Sequence, residues 1–254
     1  MQPPVHPLVF ALLLFATMLA LLEIGHRFAV SHRGGETEPV TIETALFALF
    51  GLLIAFTFSG AATRFQEKRM LVAEEANAIQ TAYRYIDAVA PEAQPKLRDQ
   101  FRDYVDSRLE IYHRLPNMKA AAPAVARMKQ LQKVIWTDAI AATRLPSDDP
   151  AAARMLLPAI DSMDRLTTTR MMSLQNHPPG IVYGLLFVLG MLCALLAGFR
   201  LAGQGKRNWL HILSFALITA SVVYISLDME YPRVGLIRLD NADQVLKDVR
   251  AGMD

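Results

Sequence analysis

Residues 45–89 read ALFALFGLLIAFTFSGAATRFQEKRMLVAEEANAIQTAYRYIDAV, an apolar half that runs straight into a polar one. The first half, Ala45–Ala62, carries no charge. It is close to the roughly 20 apolar residues needed to cross a hydrocarbon core of about 30 Å. The second half keeps apolar residues at Phe65, Met70, Leu71, Ala73, Ala76, Ile79, Tyr83 and Ile86, a helical stripe with charges elsewhere. No breaker separates the halves, so the spacing predicts one long helix that leaves the membrane and stops near Pro91 and Pro95.

Working outward, three more stretches are long and oily: Leu8–Leu22 with its flanks Pro7 and Ile24, Ile181–Phe199, and Trp209–Leu227. A cleaved signal would want a positive start and a small-x-small cleavage site. Residues 1–7 hold no Lys or Arg, and the run ends Leu21-Leu22-Glu23, so a retained span is expected. The chain therefore reads as an all-α integral membrane protein with four transmembrane helices in two hairpins flanking a helical middle. The expected divisions are 1–62 for the first hairpin, 63–178 for the cytoplasmic helical region, 179–228 for the second hairpin and 229–254 for a tail with a short helix.

The 254 residues carry a net charge of only +2, which gives no electrostatic case for a nucleic-acid partner. The single cysteine, Cys193, lies mid-span and suits a small apolar filler between helices. Short loops close the hairpins, Ile24–Thr41 with its Gly34-Gly35 break and Arg200–Asn208 with Gly203 and Gly205. With four spans, both chain ends lie on the side of the middle segment. Arg64, Lys68, Arg69, Arg165, Arg170, Arg233 and Arg238 outnumber the basic residues opposite, which places that side in the cytoplasm by the positive-inside rule.

The middle reads as helices throughout. After the first, to Val89, a second spans about Lys96–Leu115, with Leu97, Phe101, Tyr104, Val105, Leu109 and Tyr112 at helical spacing. Pro116 and Pro123 bracket a break, and a third helix follows over Val125–Thr143. Pro146–Pro150 is a turn, and a fourth helix covers Ala151–Leu174 with Pro158 as a kink or start point. His177-Pro178-Pro179-Gly180 stops it. Val234–Leu239 could be extended, and Asp240 or Asn241 then caps a short amphipathic helix.

No nucleophile elbow, zinc-protease, P-loop or dinucleotide motif occurs, and the six histidines are scattered, so no enzyme, cofactor or metal site is expected. Asp240, Asn241 and Asp243 lack the glycine and terminal glutamate of a calcium loop. The second span is more informative. Leu49, Leu52, Leu53 and Phe56 recur at i, i+3, i+4, i+7 before the helix turns small and polar at Thr57–Thr63. One reading is a lipid-facing helix whose small residues allow close packing. The other is a pore-lining helix whose Leu and Phe rings form a hydrophobic constriction in an oligomer. Glu74, Glu75 and Asn77 then stand on an Ala-rich helix, where they could pair with Arg84, Arg98 or Arg102 in a salt network or line a vestibule.

Phe56–Thr81 resembles the exit of the second transmembrane helix in bestrophin channels, with Arg64, Phe65, Glu67 and Arg69 matching an R-F-x-E-x-R run. The order of two spans, helical middle, two spans and tail is similar too. More closely, the chain is similar to the bacterial bestrophin-like family through Glu75-Ala-Asn-Ala-Ile-x-Thr-Ala-Tyr83, His177-Pro-Pro and Asp228-x-Glu-Tyr-Pro-Arg233. The resemblance implies a homo-oligomeric ion channel, a pentamer, in the bacterial inner membrane. It places Leu49, Leu52 and Phe56 in a narrow apolar neck, with small ions as the permeant species. Arg64, Glu67, Arg69, Glu75 and Asn77 fall at the cytoplasmic exit and vestibule. Where bestrophins have Arg-Asn-Asn after the neck phenylalanine this chain has Thr57-Phe58-Ser59, which leaves the ion type open. A non-conducting scaffold or sensor that binds a partner through its cytoplasmic helices is the alternative. A secondary transporter would want a broken helix or a mid-membrane ionisable group, and neither is visible.

Overall fold

The computed structural model describes residues 6–31, 40–145, 151–174, 176–201, 209–232, 235–237 and 240–253. Among these it has eight α-helices and no strand. They are α1 (Pro7–Ser31), α2 (Val40–Arg84), α3 (Gln94–Arg114), α4 (Met118–Ala142), α5 (Ala152–Ser173), α6 (Gly180–Leu201), α7 (Trp209–Glu230) and α8 (Asp240–Ala251). A short 3-10 turn, Tyr85–Ala88, follows α2. Four helices, α1, the first part of α2, α6 and α7, are long and apolar enough to cross a membrane. The protein is an all-α membrane protein.

The chain forms two compact units. The membrane unit comprises residues 3–65 and 177–237. Its core gathers Leu14, Met18 and Leu22 of α1, Phe50 of α2, Leu186, Leu189 and Cys193 of α6, and Ile212, Ala216 and Val223 of α7. Two glycines let α1 and α6 touch backbone to backbone. A Cβ on Gly25 would fall on the carbonyl oxygen of Leu195, and one on Gly198 on that of Leu22. Such small-residue contacts are how apolar helices associate when lipid is as oily as they are. The second helix joins this core by one face only: Phe50 lies over Gly190 of α6, and Phe47 meets Phe215 of α7 edge-on at 5.9 Å.

The helical unit holds residues 66–176 and 238–254. Val72, Ala76, Ile79 and Ala82 on α2, Ile86 in the 3-10 turn, Leu97, Phe101, Tyr104 and Ile111 on α3, Ile135 on α4, and Leu156 and Ile160 on α5 are buried in it. The carboxy-terminal α8 adds Leu246, and the Met253 carbonyl beyond it accepts from Tyr83 Oη and Arg102 Nε, both at 2.9 Å.

The continuous helix expected from Ala45 onward is present as α2, and α3 and α5 lie close to their expected bounds. The break expected between Pro116 and Pro123 is shorter than that and is confined to Leu115–Asn117. Helix α4 starts at Met118, seven residues before the expected Val125, with Pro123 inside it. Asn117 caps it, its Oδ1 accepting from Ala120 N at 3.1 Å. Pro123 sits near the start on the exposed side, so its missing N–H breaks only one early bond. Pro158 is likewise inside α5 rather than at its start. Residues 235–237 are bends, and Val234, Arg238 and Leu239 lie outside the described residues. So do the Gly34-Gly35, Gly203–Gly205 and Pro146–Pro150 turns and the Asp240 and Asn241 side chains.

Candidate functional site

At 3.6 residues per turn, positions 49, 52, 56, 59 and 63 of α2 fall in one row. In the membrane unit all five are exposed, with Leu49 at 54%, Leu52 at 52% and Phe56 at 66%. In the helical unit the same register along α2 carries Glu67, Met70, Glu74, Asn77 and Thr81, again all exposed. The row is thus apolar, then small and hydroxylic, then polar, and nothing among the described residues covers it. Of the four membrane helices α2 is the least covered: 11% of its apolar window is buried, against 28% for α1 and α6 and 39% for α7.

The remaining exit residues take other faces. Arg64 turns toward α7, where its Nε donates to Glu230 Oε1 at 2.7 Å and its Nη2 pairs with the same oxygen. Gly60, one turn earlier, leaves the space that the guanidinium occupies; a Cβ there would stand 3.1 Å from Arg64 Nη1. Glu230 is fully buried, and its other oxygen, Oε2, faces His177 Nδ1 at 3.8 Å. The His177 ring stacks on Tyr231 with centroids 4.5 Å apart. Two residues before Glu230, Asp228 Oδ2 accepts from the backbone N–H groups of Leu236 (2.9 Å) and Ile237 (2.8 Å). The sequence pieces around Arg64 and His177 and the described part of the third, Asp228–Tyr231, therefore meet at one place in the membrane unit. Arg69 is exposed, about 200° around the helix from Glu67.

Glu75 lies neither on the bare row nor with the expected partners Arg84, Arg98 or Arg102. Arg98 pairs with Asp87, and Arg102 with Asp99 at 2.6 Å. Glu75 is fully buried in the helical unit, where Arg108 of α3 donates to its Oε1 at 2.6 Å and Arg170 of α5 to its Oε2. Thr167 Oγ1 donates to Oε1 at 3.1 Å and Tyr112 Oη to Oε2 at 3.2 Å. Both guanidiniums also stack on the Tyr112 ring, Arg170 at 3.9 Å from its centroid. Burial pushes the Glu75 carboxyl up, but the two arginines outweigh it and hold the group below the usual carboxylate range. Arg108 falls at position i+7 from Phe101, inside the apolar stripe of α3. A charge in that stripe was the signal available in the sequence.

Among the described residues no group of three His, Cys, Asp or Glu could hold a metal ion. What the structure presents is a multi-pass membrane protein whose second span offers a long uncovered face, braced by one buried ion pair in the membrane unit and a buried ion cluster in the helical unit. The sequence matches the bestrophin-like domain over residues 12–243, and the chain belongs to that family. No curated protein matches it in sequence. Its fold is shared by a bacterial bestrophin homologue from Klebsiella pneumoniae. A single-substitution variant of that homologue aligns with TM-score 0.72 at 15% identity, covering 97% of this chain and 98% of the other. A second variant gives 0.71 at 15% identity over 97% and 95%. Another crystal structure of the homologue gives 0.70 at 16% identity over 96% of each chain.

Proposed function

We propose that the protein is a homo-oligomeric ion channel of bestrophin type in the bacterial inner membrane, with its helical unit and both termini in the cytoplasm. Leu49, Leu52 and Phe56 of each copy form an apolar neck. Glu67 and Asn77, in the same register, face the vestibule beyond it. Arg64 and Glu75 act from behind: they hold α2 to the rest of its own chain. Arg69 lies at the cytoplasmic exit, off the row. The subunit number proposed is five, and the permeant species are small ions.

The observation that carries this reading is the uncovered row of α2. A helix that only faced lipid would have reason to be bare along the hydrocarbon, about 30 Å, and no further. Here the bare face passes from Leu and Phe through Ser59 and Thr63 to Glu67, Glu74 and Asn77 without changing register. A row that starts oily and ends wet suits the wall of an axial passage shared by several copies. In such a passage a ring of Leu and Phe side chains excludes water until it widens.

The test is bilayer recording of purified protein. Phe56→Ala and Leu52→Ala, which remove apolar bulk from the neck, are expected to raise unitary conductance several-fold over wild type. No current from any of the three proteins would end the channel reading.

A further inference from the structure

The Glu230 carboxylate is addressed from both sides. Arg64 takes Oε1, and His177 Nδ1 faces Oε2 at 3.8 Å, beyond hydrogen-bond reach. That nitrogen is buried and has no hydrogen-bond partner among the described residues, and the His177 side chain is only 15% exposed. Stacking on Tyr231 fixes the plane of its ring. Among the described residues the other titratable or charged groups near it are few. Tyr231 presents its ring, and Arg64 of α2 acts through Glu230. Tyr183 of α6, whose hydroxyl is also buried, feels the charges of both Glu230 and Arg64. Asp228 is turned to the amides of Leu236 and Ile237. Imidazole is the side chain whose charge changes most readily near neutral pH, and here it points at a buried anion that also anchors α2.

We propose that His177, Glu230 and Arg64 form a proton-operated latch on the exit of α2. With both ring nitrogens protonated, His177 is a cation and its Nδ1–H is drawn onto Oε2. Glu230 is then closed between two positive charges, and Arg64, with the helical turn below the neck, is held in place. When the charge is lost, that attraction goes with it, and the turn Gly60–Arg64 is freer to move. The consequence for current rests on the channel reading above; the latch itself does not need conduction. In the channel, acid clamps the exit of α2 and lowers the current.

Two readouts separate the claims. The first is thermal unfolding of full-length, detergent-solubilised wild type and His177→Asn at about pH 5.5 and about pH 8.0. The stabilisation of wild type over H177N is expected to be about 2 °C or more larger at the acid pH. That pH dependence should vanish when both carry Glu230→Gln. A difference that does not change with pH overturns the latch. If Glu230→Gln does not fold, the His177 imidazole resonance, identified by its loss in H177N, is followed by NMR in the full chain. A ring that keeps one protonation state across that range likewise overturns it. The second readout is bilayer current, expected to fall several-fold on acidification in wild type and to stay level in H177N. Equal acid sensitivity of the two proteins removes His177 as the sensor. Silence of both, with the stability difference intact, counts against the channel alone.

Discussion

Burying Glu75 between Arg108 and Arg170 puts one negative and two positive charges in the interior of the helical unit. The carboxylate is the only counter-charge those guanidiniums share there in the described contacts, and the Tyr112 ring and hydroxyl supply the rest of the cradle. Removing one member of such a cluster is far worse than never having built it, since the survivors stay buried and uncompensated. Glu75→Gln is therefore expected to destabilise the protein by about 3–5 kcal/mol, measured by denaturant unfolding in detergent. Glu74→Gln, one residue away and exposed, should stay within about 0.5 kcal/mol. Little of this was legible from neighbouring sequence. Glu75 stood out as an acid on an Ala-rich helix, but its partners lie 33 and 95 positions away. Local spacing could suggest Arg84, Arg98 or Arg102 and had no means to rank Arg108 above them. The one usable sign was Arg108 sitting where a hydrophobic residue should be.

Helices were the easier scale, because a span and an amphipathic stripe are both written in consecutive residues. All four spans and the unbroken run of α2 followed from hydropathy and the lack of a breaker. Helix α4 shows where that logic gives out. A proline near a helix start is tolerated when the bond it forfeits is early and exposed, and an Asn cap six residues upstream sets the true beginning. The α1–α6 contact was hidden as well, since Gly25 and Gly198 look like ordinary glycines until their backbones meet. Gly198→Ala should force the two helices apart and cost about 1–3 kcal/mol, read as a lower unfolding temperature in detergent. Gly184→Ala on the same helix, where a Cβ meets nothing within 4 Å, is the control and should behave as wild type.

Across the whole molecule, the order of elements and the family were readable from a handful of motifs, while the meeting of three of them at Glu230 required the fold. The assembly can be probed without electrodes. The single native cysteine, Cys193, is buried and so is a quiet background for thiol labelling. Phe56→Cys, Ser59→Cys and Glu67→Cys place probes along the bare row, and Leu12→Cys places one on an exposed part of α1. If the row lines a passage, a charged thiol reagent added in membranes labels the Ser59 and Glu67 positions readily and the Phe56 position slowly. The Leu12 position, in lipid, stays unlabelled. Equal protection of all three α2 positions would mean that the row is sealed by protein or lipid.

The length of α2 adds something mechanical. From Phe56 to Thr81 it runs 25 residues as one helix, about 38 Å at the usual rise. A rod of that length is a lever arm. A tilt of about 5° pivoting near Phe56 would swing the far end by about 3 Å, roughly the width of a water molecule. Forces applied at the Thr81 end of α2 thus arrive at the phenylalanine ring geared down.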